Sequence, residues 1–189
     1  MKRYTLRQCV FMAICCDLGL FSKRLISPIT NILTDALHIP GGISTGFSLM
    51  FVILAALVCD VFGSATIMCA IQSGIALALG MVGSMGILAP LGYIIPGITI
   101  DLIMLFCKRM HISKIIMTIC ANALGAVMAA LTANIIAMHL RGATLWLYLM
   151  VAMISGAVCG ILGHEIACRL LPTINVISAK GDVDINENQ

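Results

Sequence analysis

The sequence predicts an all-α membrane protein with six transmembrane helices, and three observations lead to that fold class. The 189 residues are 61% hydrophobic and 10% charged, whereas a soluble domain is about half apolar and about a quarter charged. The apolar runs are about 20 residues long, which fits membrane-crossing helices rather than the short alternating strands of a barrel. The longest polar segment is the C-terminal tail, so we expect no soluble nucleotide-binding domain beside the helices.

The predicted helices are joined by short turns and one longer segment. They cover residues 5–21, 44–59, 64–79, 87–107, 115–138 and 143–163. Residues 22–42 mix charges and prolines with apolar residues at helical spacing, which predicts an interfacial amphipathic helix or a cap over a site. Glycines mark the turns at 60–63, 80–86 and 139–142, and residues 108–114 form a basic loop. We therefore expect one transmembrane domain over 1–172 and a polar, disordered cytoplasmic tail over 173–189.

The distribution of basic residues predicts the orientation. Six spans place both termini on one side, together with eight lysines and arginines, and leave Lys23, Arg24 and Arg141 on the other. Because basic residues are retained in the cytoplasm, we expect a multi-pass cell-membrane protein with both termini cytoplasmic and residues 22–42 facing outward. The formal net charge of +3 then reflects topology, and we expect no nucleic-acid partner.

The fourth predicted helix is the most unusual stretch of the chain. It carries Pro90, Pro96, Gly92, Gly97 and the lone carboxylate of Asp101 within an apolar run. Proline removes a backbone donor, and a broken intramembrane helix usually lines a cavity because its freed groups need partners. An acid at that depth indicates a functional site. The alternative is a kinked packing helix whose Asp101 is hydrogen-bonded to a neighbouring helix.

Other polar or aromatic residues in the predicted spans complete a candidate solute pocket formed by the third to sixth helices. Asp101 and Asn122 lie at a similar depth, so they either bond to each other or form the pocket floor, where a carboxylate suits a cationic or amide-bearing ligand. Aromatic rings would stack on a planar ligand, although Trp146 and Tyr148 fit equally well as interfacial anchors. The candidate contacts are Asp101, Gln72, Asn122, Tyr93, Trp146 and Asn134.

Small residues recur at helical spacing in the last two predicted helices. Ala121, Gly125, Ala129 and Ala133 form one stripe, and Gly156 and Gly160 form another. Such stripes let helices approach closely, either for internal packing, which we favour, or for a partner surface.

Metal, haem and catalytic motifs are weak in this chain. His38-Ile-Pro-Gly-Gly42 is similar to the His-Ile-Pro start of cobalt and nickel uptake components, but here it is internal and lacks their terminal amine. His38 and His139 are therefore only weak ligand candidates, and we expect no cofactor. The nine cysteines form no CxxC pair, and no hydrolase, metalloprotease or magnesium-binding motif is present. An enzyme is not expected.

Two pieces of the chain resemble a known family. The first contains Phe62-Gly-Ser-Ala-Thr66 and Gln72-Ser-Gly74, and the second is Gly92-Tyr-Ile-Ile-Pro-Gly-Ile-Thr-Ile-Asp101 followed by Lys108-Arg109. Together they are similar to the S components of energy-coupling factor transporters, in particular the YkoE type, over about residues 41–135. That family has a Gly-x-x-x-Gly-x-x-x-acid run in its fourth helix. Here the first spacing is one residue longer and the acid is Asp rather than Glu.

The resemblance implies a function and partners. An S component binds a vitamin-like solute from outside, with thiamine or its pyrimidine precursor the leading expectation here. It then docks on a transmembrane coupling protein driven by two ATPase subunits. Docking in the family uses small residues of the first helix, for which this chain offers Ala13, Cys15 and Gly19. The alternatives are an S component for haem, cobalamin or a metal ion, a membrane scaffold, and an unrecognised membrane enzyme.

Overall fold

A computed structural model describes the backbone over residues 5–37, 43–80 and 83–186, and the side chains over 5–28, 44–80 and 86–170. Within these ranges the chain forms six α-helices and no strand. The helices are α1 Leu6–Leu37, α2 Ile43–Cys59, α3 Ser64–Ala78, α4 Ala89–Arg109, α5 Lys114–Ala133 and α6 Ala143–Asn186.

The six helices form a bundle in which each packs against two neighbours in a ring. The order around the ring is α1, α2, α6, α5, α4 and α3, with α1 and α3 closing it and α2 touching α5 across it. The start of α1 lies beside the end of α2, because the Gln8 side chain donates a hydrogen bond to the carbonyl of Cys59. The end of α2 in turn lies beside the end of α4, since Asp60 pairs with Lys108. Successive helices therefore run in alternating directions.

The two ends of the bundle differ in charge. We call the end where α2 and α4 finish and α3 and α5 begin the basic end, because Lys108, Arg109 and Lys114 lie there. The opposite end, where α3 finishes and α4 and α6 begin, is the distal end.

Asp60 takes a positive φ of 49° between α2 and α3, a conformation that aspartate tolerates better than most side chains.

Two helices are longer than the sequence predicted. α1 does not end at residue 21 but continues through Lys23, Arg24 and Pro28 to Leu37, so no separate amphipathic helix begins at residue 22. Charged side chains do not end a helix when they can extend to a partner or to water along its surface. The expected cap over a site falls largely on residues whose side chains lie outside the described part of the chain. α6 likewise does not end at residue 163, as the sequence predicted, but continues to Asn186.

The fourth helix is continuous rather than broken. Pro90 lies in its first turn, where the missing amide hydrogen costs nothing. Pro96 lies inside α4 without ending it. A 3-10 segment, Gly83–Leu88, leads into the helix, and Gly86 within it has φ 53° and ψ −133°, which favours glycine.

Three helices are long and apolar enough to cross a membrane. They are Gly86–Arg109, Lys114–Met138 and Ala143–Leu170, and Ser44–Cys59 and Ser64–Ala78 are shorter apolar helices. The share of residues buried within the bundle is 56% for the second span, against 33% and 28% for the first and third. α5 is therefore the most enclosed of the three, and the chain has the character of a helical membrane protein.

Glycines bring α5 and α6 into backbone contact. A Cβ atom added at Gly156 would lie 2.8 Å from the carbonyl oxygen of Asn122, and one at Gly160 would lie 2.9 Å from the Cα of Ile119. The α5 stripe is buried as well, and Gly125 packs against Ile100 of α4. Both stripes therefore serve internal packing, as we favoured, because the close approach maximises van der Waals contact where lipid offers no hydrophobic driving force.

We predict that Gly156→Ala destabilises the bundle by about 1–3 kcal/mol, because backbone atoms of α5 must move to admit the methyl group. Thermal unfolding in mild detergent would report the loss as a lower midpoint. Gly74→Ala is the matched control, since it lies in α3 with no heavy atom within 4 Å of the added Cβ. It should leave stability unchanged or raise it by up to about 1 kcal/mol. Equal midpoints for the two variants would contradict the packing role.

Candidate functional site

Asp101 belongs to α4, and its buried carboxylate accepts hydrogen bonds from backbone amides at the start of α3. One oxygen accepts hydrogen bonds from the amide of Thr66 at 2.8 Å and from the Thr66 hydroxyl at 2.6 Å. The other accepts from the amide of Ala65 at 3.3 Å. The first amides of a helix lack intrahelical partners, and a negative charge there is favoured by the helix dipole. The residue preceding α3 is Gly63, which has no capping side chain, so Asp101 caps α3 from a neighbouring helix.

Little space for a ligand remains around this carboxylate. The cavity that borders Asp101, Ser64 and Lys108 has a volume of about 30 Å³, which is room for a water molecule. The buried hydroxyl of Ser64 has no protein partner. The geometry therefore gives Asp101 a structural role in the described conformation.

Asn122 occupies a separate polar contact between three helices. Its side-chain amide donates to the carbonyl of Gly156 at 2.8 Å and to that of Gly46 at 3.3 Å, which ties α5 to α6 and α2. Its Oδ1 is buried without a partner. The bond we considered between Asp101 and Asn122 is not formed, because each side chain is taken up by backbone groups nearer to it. The two residues do not form a common pocket floor.

A different group of polar residues meets near the distal end. Lys23 of α1 extends to Tyr93 of α4, donating a hydrogen bond to the phenol oxygen at 3.1 Å. Its ammonium also lies 4.4 Å from the centroid of the Tyr93 ring, within the range of a cation–π interaction. Gln72 of α3 is 1% exposed and borders the same cavity. Thr45 and Ser48 contribute hydroxyls from α2.

The proline of α4 adds a backbone acceptor to this group. Pro96 has no amide hydrogen, so the carbonyl of Gly92, four residues earlier, loses its usual helical partner. Gly92 and Pro96 both line the cavity. Gln72 is positioned by α1, because its amide donates a 3.4 Å hydrogen bond to the carbonyl of Cys16. A Cβ at Gly19 would lie 2.8 Å from that amide nitrogen, so the glycine makes room for Gln72.

We call this group the distal site, defined by Lys23, Thr45, Ser48, Gln72, Gly92 and Tyr93. Its cavity measures about 20 Å³, which holds one water molecule and no vitamin-sized solute. The described conformation is therefore closed. A solute would enter only if the Lys23 and Tyr93 side chains separated. Of the sequence candidates, the structure brings Gln72 and Tyr93 together here.

The other two pocket candidates lie elsewhere. Trp146 is 71% exposed near the distal start of α6 and does not line the distal site. Asn134 closes a turn, because its Oδ1 accepts the amide hydrogen of Leu140 at 2.7 Å and its side-chain amide faces the Leu140 carbonyl at 3.4 Å. Tyr148 is buried against Ala130 and Ala152 and is not an interfacial anchor.

The three docking candidates of α1 do not share a surface. Ala13 is exposed, and it borders an apolar groove of about 200 Å³ between α1 and α3. Cys15 is 2% exposed and Gly19 is buried, so both pack inside the bundle. Only Ala13 is accessible to a partner in this conformation.

Of the two weak metal candidates, only His139 lies in the described part of the chain. His38 lies outside the described residues, and His139 is exposed in the turn between α5 and α6 with φ 49°. Within the described parts of the chain, no three His, Cys, Asp or Glu side chains converge.

Four members of the distal site were not among the predicted contacts, namely Lys23, Thr45, Ser48 and Gly92. The sequence predicts Lys23 in the outward-facing segment 22–42, which we expected to form an interfacial amphipathic helix or a cap over a site. The sequence does contain a signal for the position of Lys23, because Lys23 lies four residues after Gly19 and seven after Cys16, on one helical face. A first helix extended past residue 21 would have turned Lys23 toward the bundle.

The fold and these sites define a helical membrane protein with a closed polar site near one end. Comparison with protein-family models, curated proteins and solved structures finds no match. Function must therefore be argued from the residues themselves.

We predict that Asp101→Asn lowers stability by about 1–3 kcal/mol, because an amide group would face amide donors at the start of α3. The reduced thermal-unfolding midpoint in detergent would measure this. Asp60→Asn is the control, since Asp60 is exposed beside Lys108 and such surface pairs contribute little. A role in solute contact predicts the reverse for Asp101→Asn, namely an unchanged midpoint with weakened solute binding.

Proposed function

We propose that this chain is the solute-binding subunit of a membrane importer of the energy-coupling factor type. We propose further that its solute binds at the distal site. The observation that carries the proposal is Lys23, a cation directed between helices onto Tyr93 beside the buried amide of Gln72. Ionisable groups among membrane helices are costly and usually mark a ligand or ion path. The likeness to S components supplies the transport class.

The composition of the distal site favours a planar solute with a carboxylate, phosphate or carbonyl group. The ammonium of Lys23 would bind the anionic or carbonyl oxygen. Thr45, Ser48 and Gln72 offer hydroxyl and amide partners, and the Tyr93 ring offers a stacking face. Among the described residues that line the cavity there is no carboxylate. This chemistry favours a vitamin-like acid or a neutral pyrimidine over the thiamine cation.

The contact between Lys23 and Tyr93 would join α1 to α4 in the closed site, and the bound solute would replace it. In the closed state the ammonium is satisfied by the phenol oxygen and the ring, which offsets part of its desolvation. An anionic solute would offer a stronger, charge-assisted hydrogen bond. Binding is then coupled to the separation of α1 from α4, while α3 stays fixed by its cap at Asp101.

Energy for uptake would come from partners. The described residues form a helical bundle in which no nucleotide-binding unit is recognisable, so the proposal assigns ATP hydrolysis to two separate ATPase subunits joined through a transmembrane coupling protein. Six spans, with both termini cytoplasmic and the distal site facing outward, complete the proposed topology. The basic end supports this orientation, because lysines and arginines are retained on the cytoplasmic side.

We predict that Lys23→Met weakens solute binding by about tenfold or more, because a charged hydrogen bond is lost. Methionine keeps much of the unbranched apolar stem, so the fold should be retained. The protein would be purified in mild detergent, its co-purifying small molecules identified by mass spectrometry, and the affinity of the identified solute then measured by calorimetry.

Arg24→Met is the matched control. Arg24 neighbours Lys23 on α1 but is exposed and does not line the distal site, so its loss should leave affinity unchanged. Equal affinity in the wild type and in Lys23→Met would remove the distal site from the proposal. A protein that carries no solute but co-purifies with other membrane subunits would favour the scaffold alternative.

A further inference from the structure

A second, larger cavity lies at the basic end, away from the distal site. It has a volume of about 290 Å³ and is enclosed by the end of α2, the end of α4, the start of α5 and the later part of α6. Its polar lining comprises Asp60, Lys108, Lys114, His164 and Cys168. We call it the basic cavity. Nothing in the proposed transport function uses it.

The charges of the basic cavity favour an anion. Two lysines face one aspartate, and Lys108 already pairs with Asp60, so the pair is neutral and the charge of Lys114 is left over. An ammonium has three donors, so Lys108 can hold a second acceptor while it keeps Asp60. Lys114 is exposed at the mouth of the cavity. Both lysines can therefore contact one anionic group.

The start of α5 strengthens the preference of the basic cavity for an anion. Lys114 is the first residue of this 20-residue helix, and the preceding Ser113 makes no side-chain capping bond. The first amides of a helix lack partners within it and carry the positive end of the helix dipole. A phosphate oxygen placed beside Lys114 would meet both the ammonium and this end of the helix.

His164 and Cys168 form part of the α6 wall of the basic cavity. The Nε2 of His164 lies 3.4 Å from the sulfur of Cys168, and its Nδ1 is enclosed by the protein without a hydrogen-bond partner. A ligand in the cavity does not reach Nδ1, so the preference for an anion rests on the two lysines.

The remaining walls are apolar and explain which phosphate-bearing molecule fits. Leu57, Val58 and Met117 line the cavity below its charged mouth, and the exposed Ile115 and Ile116 continue an apolar surface beside Lys114. Basic pockets between membrane helices on the cytoplasmic side suit anionic lipid headgroups. We propose that the basic cavity binds the phosphate of one anionic phospholipid, with Lys108 and Lys114 on the phosphate and an acyl chain along α5. The proposal rests on the cytoplasmic placement of the basic end that was proposed above, but not on solute transport.

Native mass spectrometry of the full chain in mild detergent tests the proposal. Dioleoylphosphatidylglycerol should bind as one retained molecule per protein, and more tightly than zwitterionic dioleoylphosphatidylcholine. Lys114→Gln should weaken the phosphatidylglycerol affinity by about fivefold, the value expected for one lysine near a lipid surface. Lys114→Arg should restore it, because the positive charge returns.

Arg141→Gln is the control, since Arg141 is an exposed cation beside the distal end and its removal should leave the affinity unchanged. Added inorganic phosphate distinguishes the two sources of the anion. Failure of excess phosphate to displace the lipid supports a lipid site, and displacement supports a site for a soluble phosphate ester. Equal binding of both lipids, or equal losses in Lys114→Gln and Arg141→Gln, would overturn the proposal.

Discussion

The distal site depends on the hydrogen bonds between the carboxylate of Asp101, in α4, and the first turn of α3. The carboxylate accepts the amide hydrogens of Ala65 and Thr66, groups that lipid cannot satisfy and that Gly63 cannot cap. This contact fixes the start of α3 against α4. Because α3 is a rigid helix of 15 residues, the fixed start also sets where Gln72 faces α1, two turns further along. An acid far from the proposed ligand thereby positions the ligand's contacts.

Glycine and asparagine bring α2, α5 and α6 into close contact in the opposite half of the bundle. Gly156 and Gly160 bring α6 onto the backbone of α5, and Asn122 joins α5 to carbonyls of α2 and α6. In a bilayer the association of helices depends on such close contacts and on satisfied polar groups. This half of the bundle is thus fixed by backbone contacts. The described α1–α4 contact, in contrast, is the Lys23 side chain over the Tyr93 ring.

The all-helical fold and its membrane character followed from composition, and the turns near residues 60–63, 110 and 139–142 followed from their glycines and charges. The end of the first helix did not, because Lys23 and Arg24 resemble loop residues until a partner such as Tyr93 is known. The sequence also marked Asp101 as a buried acid that needs a partner. It could not identify that partner, since the groups that bind Asp101 are mainly backbone amides, and every residue except proline has one. Trp146 and Asn134 were assigned to the pocket by residue type, whereas rotation about the helix axis decided their positions.

The two cavities separate two kinds of chemistry along one bundle. The distal site is small and is built around a cation that already has an aromatic partner, so the solute proposed for it would have to compete with Tyr93 for the ammonium of Lys23. The basic cavity is larger and holds a cation with no described acid of its own beyond the Asp60–Lys108 pair. The phospholipid proposed for this cavity would therefore have no described partner of Lys114 to displace. Lys108 lies in the last turn of α4, the helix that also carries Asp101 and Tyr93. A phospholipid bound in the basic cavity, as proposed, would therefore contact the helix that also carries Tyr93, and α4 would link the two proposed sites.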